Sequence, residues 1–236
     1  DQGMFRLLDE MFLVDQQLEH AYSSTASVDE AVRGLLAGLP LGDVRVDATI
    51  YVAVGGWGAG TTRGQVLAAL ATQGDYETPW ITHTRALRMI RTVDPDTTPA
   101  ALDLDTGRRV LRSSISQTND ILNAPNRFVV IGNQGGPVEI VGTYDVPPNA
   151  PHSITNRGFV VANVSTLQLA SAGQAQAVAR GLGMRQTVFE RADLDTPPDP
   201  RHDSYDVIRW QGRNWLELSW SMTCQEGAPM RHSLRR

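Results

Sequence analysis

Residues 55 to 62 read Gly-Gly-Trp-Gly-Ala-Gly-Thr-Thr and stand between an alternating run, Asp47 to Val54, and a helix-spaced run, Arg63 to Gly74. Gly55, Gly60 and Thr62 match the spacing G-x-x-x-x-G-K-[ST], a loop whose backbone N–H groups cradle phosphates at a helix N-terminus. Thr61 stands where that pattern has its lysine. A hydroxyl brings no positive charge, and all 21 basic residues are arginine, so no lysine elsewhere can substitute. Nor does an acidic partner for magnesium end the next apolar strand, since Asp94 and Asp96 lie in a proline-bounded loop. The residues predict a structural turn, with glycines at positive φ, Trp57 packed down onto its domain, and Thr61 or Thr62 capping the helix.

Two acidic motifs are weighed in the same way. Asp105-Thr106-Gly107, inside Leu102 to Gly107, is the tripeptide of aspartic proteases, where paired carboxylates share one proton. Arg108 and Arg109 follow where such a site holds small residues, so a turn before a strand is expected. The segment Pro197 to Asp206 sets His202 beside Asp199, Asp203 and Asp206, ligand types for a divalent metal or members of a catalytic pair. Pro197, Pro198 and Pro200 describe a stiff loop and Asp206 opens a strand, so His202 is expected to be a solvated loop histidine. His20, His83, His152 and His232 stand apart, and neither G-x-S-x-G nor H-E-x-x-H occurs. The single Cys224, in an alternating strand, excludes an intrachain disulfide and a cysteine zinc site. Trp57, Trp80, Trp210, Trp215 and Trp220 are not interleaved with basic residues as in a base-stacking platform, and are expected in the core or at an interface. This reading assigns no catalytic, cofactor-binding or metal residue.

The elements that position these residues follow from periodicity. The chain has 236 residues, 41% hydrophobic and 20% charged, enough for one large or two small cores. A net charge of −5 argues against a grip on nucleic acid through phosphate neutralisation. Residues 1 to 20 read as a helix with Phe5, Leu8, Phe12 and Leu18 on one side, without the basic start of a signal peptide. No initiating methionine is present, and a segment of a longer protein is expected. Ser27 is placed to cap a second helix ended by Gly38 and Pro40, and Gly74 to close a third. With the strands around Trp80 and Leu87, these make a small α/β domain over 21–93.

From residue 94 onward the chain changes character. Short alternating runs separated by Gly, Pro and Asn suggest an antiparallel barrel over 94–236. Its expected core includes Phe128, Val130, Ile140, Phe159, Val161, Val188, Ile208 and Leu216. One helix is inserted, with Ala175, Val178, Ala179 and Leu182 as its packing face. The runs from Arg108 to Asn119 and from Met230 to Arg236 are read as the barrel's edges, their Arg108, Arg109, Arg235 and Arg236 suited to a neighbour's carboxylates. The predicted fold class is α+β, a small mixed domain followed by a barrel.

The order of these segments resembles a known family. Gly60-Thr61-Thr62-Arg63 with its helix and following strand is similar to a turn found in tail-tip hub proteins of bacteriophages of actinobacterial hosts. Asn126-Arg127-Phe128-Val129-Val130, then an apolar strand, Asp145, the proline-rich 147–151 and Gly158, resembles that family's next block. Pro198 to Trp210 and Met230 to Arg236 look like its final strands, and Asp29 to Pro40 also fits, so the resemblance covers most of 27–236. It implies a barrel-ring baseplate hub, related to the ring-forming base of contractile secretion spikes. Such hubs are homotrimers in which two barrels per chain form a pseudo-sixfold collar between tube and tip. Residues 1–20 would be the end of a first barrel. Either the rest of that barrel precedes Asp1 or the pseudo-sixfold arrangement does not apply.

The expected function is that of a structural virion protein at the tail tip. It would join the tube to the tip, contact distal tail, tube, tip or tape-measure proteins, and pass DNA through its lumen. No cofactor and no membrane-spanning segment are expected. A tail-associated hydrolase or a carbohydrate-binding module is the alternative.

Overall fold

In the computed structural model the described residues are 11–236, apart from 83, 107–109, 118–123, 134–137, 187–189, 200 and 224. Phe5, Leu8, His83, Arg108, Arg109, Val188, Pro200 and Cys224, singled out above, lie outside them. Of the residues expected in the first helix, the described ones form one turn, α1 (Met11–Val14). Val14 and Leu18 are buried behind it, while Phe12 is 51% exposed rather than on the apolar side.

After β1 (Tyr22–Ser23), the helix α2 (Val28–Leu36) forms because Val28, Ala31, Val32, Leu35 and Leu36 recur on one face, and all five are buried. Ser27 occupies its N-cap but makes no side-chain cap bond. Strands β2 (Asp43–Val46) and β3 (Gly56–Trp57) follow, then α3 (Arg63–Gly74), β4 (Trp80–Ile81) and β5 (Ala86–Met89). β5 pairs in parallel with β2 and antiparallel with β4. The residue that takes the left-handed conformation at the end of α3 is Asp75 (φ 56°), not the expected Gly74.

Asp47 to Val54, expected as a strand, is irregular, and Ile50 is 89% exposed. Its backbone groups are satisfied by scattered backbone bonds, among them Ala53 N–H to Ala26 C=O (2.9 Å), and by side chains rather than by a continuous ladder. The amide of Gln73 accepts from Val54 N–H (2.9 Å) and donates to Val54 C=O (2.6 Å). Gln174 donates to the carbonyls of Val52 and Gln73 (3.1 and 2.9 Å), and Asp29 accepts from Thr49 N–H (3.4 Å).

Beyond residue 94 the elements are β6 (Leu102–Asp103), β7 (Arg112–Gln117), β8 (Arg127–Gly132), β9 (Ile140–Asp145), α4 (Ile154–Arg157), β10 (Val161–Leu167), α5 (Ala172–Gln186), β11 (Glu190–Thr196), β12 (Val207–Trp210), β13 (Arg213–Met222) and β14 (Met230–Arg235). Each alternating run expected as a strand in this part forms one, and the inserted helix forms with Ala175, Val178 and Ala179 buried. The pairings divide them between two sheets. One is three-stranded, in the order β10-β8-β9, and the other six-stranded, in the order β6-β12-β13-β14-β11-β7.

The α+β class stands, but among the described residues no pairing joins β6 to β7 to close the six-stranded sheet into a barrel. The run Met230–Arg235 is interior to that sheet rather than an edge, whereas β7 is an edge as expected. The three-stranded sheet is covered on one face by α5. Gly142 on β9 leaves no room for a Cβ against the backbone of Ala175 and Gln176, so α5 lies directly on it.

The chain forms two compact units. One takes residues 1–92, 128–144 and 162–181; the other takes 93–127, 145–161 and 182–236. The core of the first includes Leu35, Leu36, Leu67, Leu70, Leu87 and Met89. That of the second includes Leu102, Leu194, Ile208, Trp210, Trp215 and Leu234. Of the residues expected in a barrel core, Phe128, Val130, Ile208 and Leu216 are buried and Ile140 is half-buried. Phe159 and Val161 are 61% and 49% exposed, because β10 turns their side outward and the Phe159 ring lies 4.4 Å from the Arg127 guanidinium instead of in a core.

Candidate functional site

The glycine-rich loop holds its own backbone donors. Gly60 N–H donates to Leu18 C=O (3.0 Å), Thr61 N–H to Gly58 C=O (3.2 Å) and Arg63 N–H to Gln16 C=O (2.9 Å). At the start of α3, Thr62 and Gln65 form a reciprocal capping box: Gln65 N–H donates to Thr62 Oγ1 (3.1 Å), and Thr62 N–H to Gln65 Oε1 (3.0 Å). The Asp15 carboxylate sits against Gly64 at the same helix end, where a phosphate would need to be. Donors already bonded and a carboxylate in place make this loop a joint to residues 16–18, with Trp57 stacked on Tyr22 at 6.0 Å between ring centres.

The Asp-Thr-Gly motif is likewise a joint. Both carboxylate oxygens of Asp105 accept backbone N–H bonds from the β12–β13 hairpin, from Gln211 (2.6 Å) and Gly212 (2.8 Å). Gln211 and Gly212 both have positive φ, so their adjacent N–H groups converge on one anion.

The loop 197–206 differs from its expected character. His202 is not solvated; its side chain is 2% exposed, and it meets two residues that sequence reasoning left apart. Its Nδ1 lies 3.1 Å from Glu217 Oε2, and His232 Nδ1 lies 2.5 Å from Glu217 Oε1, so one carboxylate bridges two imidazoles. The two rings are 4.6 Å apart, centre to centre. Glu217 and His232 side chains are fully buried.

Two members arrive by ordinary strand geometry, and His202 on the loop before β12. His232 shares its face of β14 with Met230 and Leu234, both buried. Glu217 shares a face of β13 with Trp215, immediately before a bulge between Glu217 and Ser219. The loop is held against that point by backbone bonds from Tyr205 N–H to Glu217 C=O (3.2 Å) and from Glu217 N–H to Asp206 C=O (2.9 Å). The signal that could have found the cluster is a charged residue on the core side of Asn214–Trp220, paired with a histidine on the core side of Met230–Arg235.

Burial alone would raise the carboxyl of Glu217, but hydrogen bonds from His202 and His232 outweigh it and hold Glu217 below its ordinary value. Burial would depress His202, and its bond to Glu217 and the nearby negative charge raise it instead. Asp206 is pushed up by burial, aided by the charge of Glu217. Asp199 is held low by its pairing with Arg201 (2.8 Å from Nε). Thr196 Oγ1 lies 2.8 Å from His232 Nε2 and 3.0 Å from Pro197 C=O. Of the acids flanking His202 in sequence, none displaces Glu217 as its direct partner.

This arrangement binds and clamps. Its three side chains are buried. The outer face of β7, β11 and β14 carries a shallow hollow of about 510 Å³ lined by Arg112, Ser113, Ser114, Asp193, Asp195 and Arg231, where Arg231 pairs with Asp195 (3.2 Å).

No family model matches the sequence, and no curated protein matches it. Solved structures do match. The tail protein from Neisseria meningitidis MC58 aligns with a TM-score of 0.63 at 14% identity, covering 96% of this chain and 72% of that one. The 43 kDa tail protein of prophage MuSo2 from Shewanella oneidensis gives 0.63 at 11% identity, with 97% and 71% covered. A chain in the virion of a native gene transfer agent particle gives 0.55 at 18% identity, with 90% of this chain and 47% of that one covered. Over nearly its whole length, this chain has the fold of those tail proteins.

Proposed function

We propose that this chain is a structural subunit of a phage-type tail, located in the virion at the tail tip. The observation that carries the reading is the extent of the fold likeness: 96% and 97% of the chain align on two tail proteins, not on one borrowed module. In its finer form the chain is a baseplate hub of an actinobacterial siphophage. A homotrimeric ring of it would connect the tail tube and distal tail proteins to the tip or tape-measure protein. Residues 1–20 would close a preceding domain, 21–93 form the small α/β domain and 94–236 the barrel domain, its sheet completed in the ring. DNA crosses the lumen at ejection, and a net charge of −5 suits a channel that must not hold it.

Exposed apolar groups on the six-stranded sheet support assembly. Among the described residues β7 is an edge strand, with Leu111 beside it 62% and Ile115 on it 43% exposed, and Trp220 and Met222 on the far half of β13 are 42% and 46% exposed. A ring neighbour covers such an edge and prevents uncontrolled pairing. A non-enzymatic role agrees with a histidine cluster sealed from solvent. Mass measurement with class-averaged imaging of the full-length protein tests the reading. A three-fold ring at the tail tip is expected, and Ile115→Asp should weaken the trimer more than the monomer. A monomer at high concentration that is absent from tail tips would overturn it.

A further inference from the structure

We propose that His202, Glu217 and His232 are the ligands of a transition-metal site, best suited to zinc, that ties the loop 197–206 to the six-stranded sheet. One ligating atom from each lies within 4.8 Å of the other two. The three come from separate pieces of chain: the loop, β13 and β14. Two imidazole nitrogens with one carboxylate oxygen are a zinc donor set, and bonds of about 2.0–2.2 Å place tetrahedral donors roughly 3.3 Å apart. The present separations of 3.1 and 2.5 Å are those of proton-bridged pairs. For these two pairs, exchanging the bridging protons for an ion asks for shifts of roughly an ångström or less, and the gap between the imidazole nitrogens, within 4.8 Å, closes by about 1.5 Å at most. Rotation of the Glu217 carboxylate and movement of the loop that carries His202 can supply them.

The groups behind the ligands fit the same assignment. A ligating imidazole is normally oriented by a partner on its other ring nitrogen. For His232 that partner is Thr196 Oγ1, 2.8 Å from Nε2. For His202, Nε2 is buried without a hydrogen-bond partner, and the ring lines a hollow of about 50 Å³ together with Asp206. With an ion on Nδ1 this nitrogen must carry a proton, and the hollow is large enough for a water linking it to the Asp206 carboxylate. The buried carboxylate of Glu217 and the nearby Asp206 offset the charge of a divalent ion.

The donor set and the enclosure choose the metal. Calcium and magnesium take oxygen ligands. The two-histidine, one-carboxylate iron sites work through open positions, which this buried cluster lacks. Zinc has no redox chemistry, and with both oxygens of Glu217 turned toward the imidazoles it reaches four donors.

The test uses the full chain, stripped with a chelator and then given one equivalent of zinc or cobalt(II). One ion per chain should survive gel filtration, cobalt should show the intense visible absorption of a four-coordinate site, and zinc should raise Tm by roughly 5–15 °C. His202→Gln, placed on a loop so that the sheet remains folded, should abolish all three. Loss of zinc on gel filtration with an unchanged Tm in the wild-type chain would overturn the assignment. So would a weak six-coordinate cobalt spectrum, or zinc retained undiminished by both His202→Gln and His232→Gln. The wild-type readouts decide the matter even if His232→Gln fails to fold.

Discussion

The glycine-rich loop and the His202–Glu217–His232 cluster are opposites. The loop has the spacing of a ligand-binding element in sequence, yet in three dimensions its donors are spent on residues 16–18 and on its own capping box. The cluster has no motif in sequence, yet it gathers a carboxylate and two imidazoles in a buried position. A local pattern brings residue types together but does not leave them free. A buried ionisable group, by contrast, must find partners, because an unpaired charge in the core is too costly to keep.

The largest expected effect lies in the cluster. Glu217→Ala removes the acceptor that both imidazoles share, and breaking a buried ionic set from one side costs about 3–5 kcal/mol. Chemical denaturation of the variant measures this, and a loss below about 1 kcal/mol would mean the cluster is as dispensable as a surface pair.

The next effect is at the segment Asp47–Val54. Gln174→Ala orphans the carbonyls of Val52 and Gln73, with an expected loss of about 1–3 kcal/mol. Hydrogen exchange should report it first at the amides of residues 49–54. Smaller again is Thr62→Ala, which breaks the capping box and should cost about 0.5–2 kcal/mol. In the same melting assay, millimolar ATP with magnesium should leave Tm unchanged, since ligand at 100 times its Kd would add about 2.7 kcal/mol. A magnesium-dependent rise would erase the contrast between loop and cluster.

The smallest effect belongs to a surface ion pair. Arg127 meets Asp145 through two bonds of 2.6 Å with both side chains partly exposed. The hydrogen bond to Arg127 holds the Asp145 carboxyl below its usual range against the opposing effect of burial. A depressed folded value means the contribution is present above the unfolded value, near pH 4, and is lost as pH falls through the folded one. Because the pair is solvent-screened, Arg127→Gln should lower stability only slightly at pH 7, and less near pH 2. A difference that grows as the pH falls would reverse the sign of this argument.

Much of the fold was legible in residue order. The apolar face of α2 is set by Val28, Ala31, Val32, Leu35 and Leu36, and the alternation around Phe128 and Val130 marks β8, because a helix repeats every 3.6 residues and a strand every two. Asp47–Val54 misled, since its alternation is that of a strand but its partners are an isolated bridge to Ser27 and the side chains of Gln73 and Gln174. Phe159 misled for a related reason: an apolar residue next to a strand can pack under a cation on the surface as well as in a core. The candidate site was half legible. His202 stood out by its acidic neighbours, while Glu217 and His232 were hidden among strand residues.

By itself, the sequence determined where most of the helices and strands lie, Asp47–Val54 apart, and the loss of phosphate-loop chemistry through Thr61, because each is a short-range consequence of side-chain type. Only the tertiary structure decided which strands pair. It sent β8, β9 and β10 to a sheet of their own, and placed β14 inside the larger one rather than at its edge. It also decided that Glu217 lies between His202 and His232, 15 residues from each in the chain. Strand pairing and burial join residues far apart in sequence, and their energies depend on neighbours that no local pattern specifies.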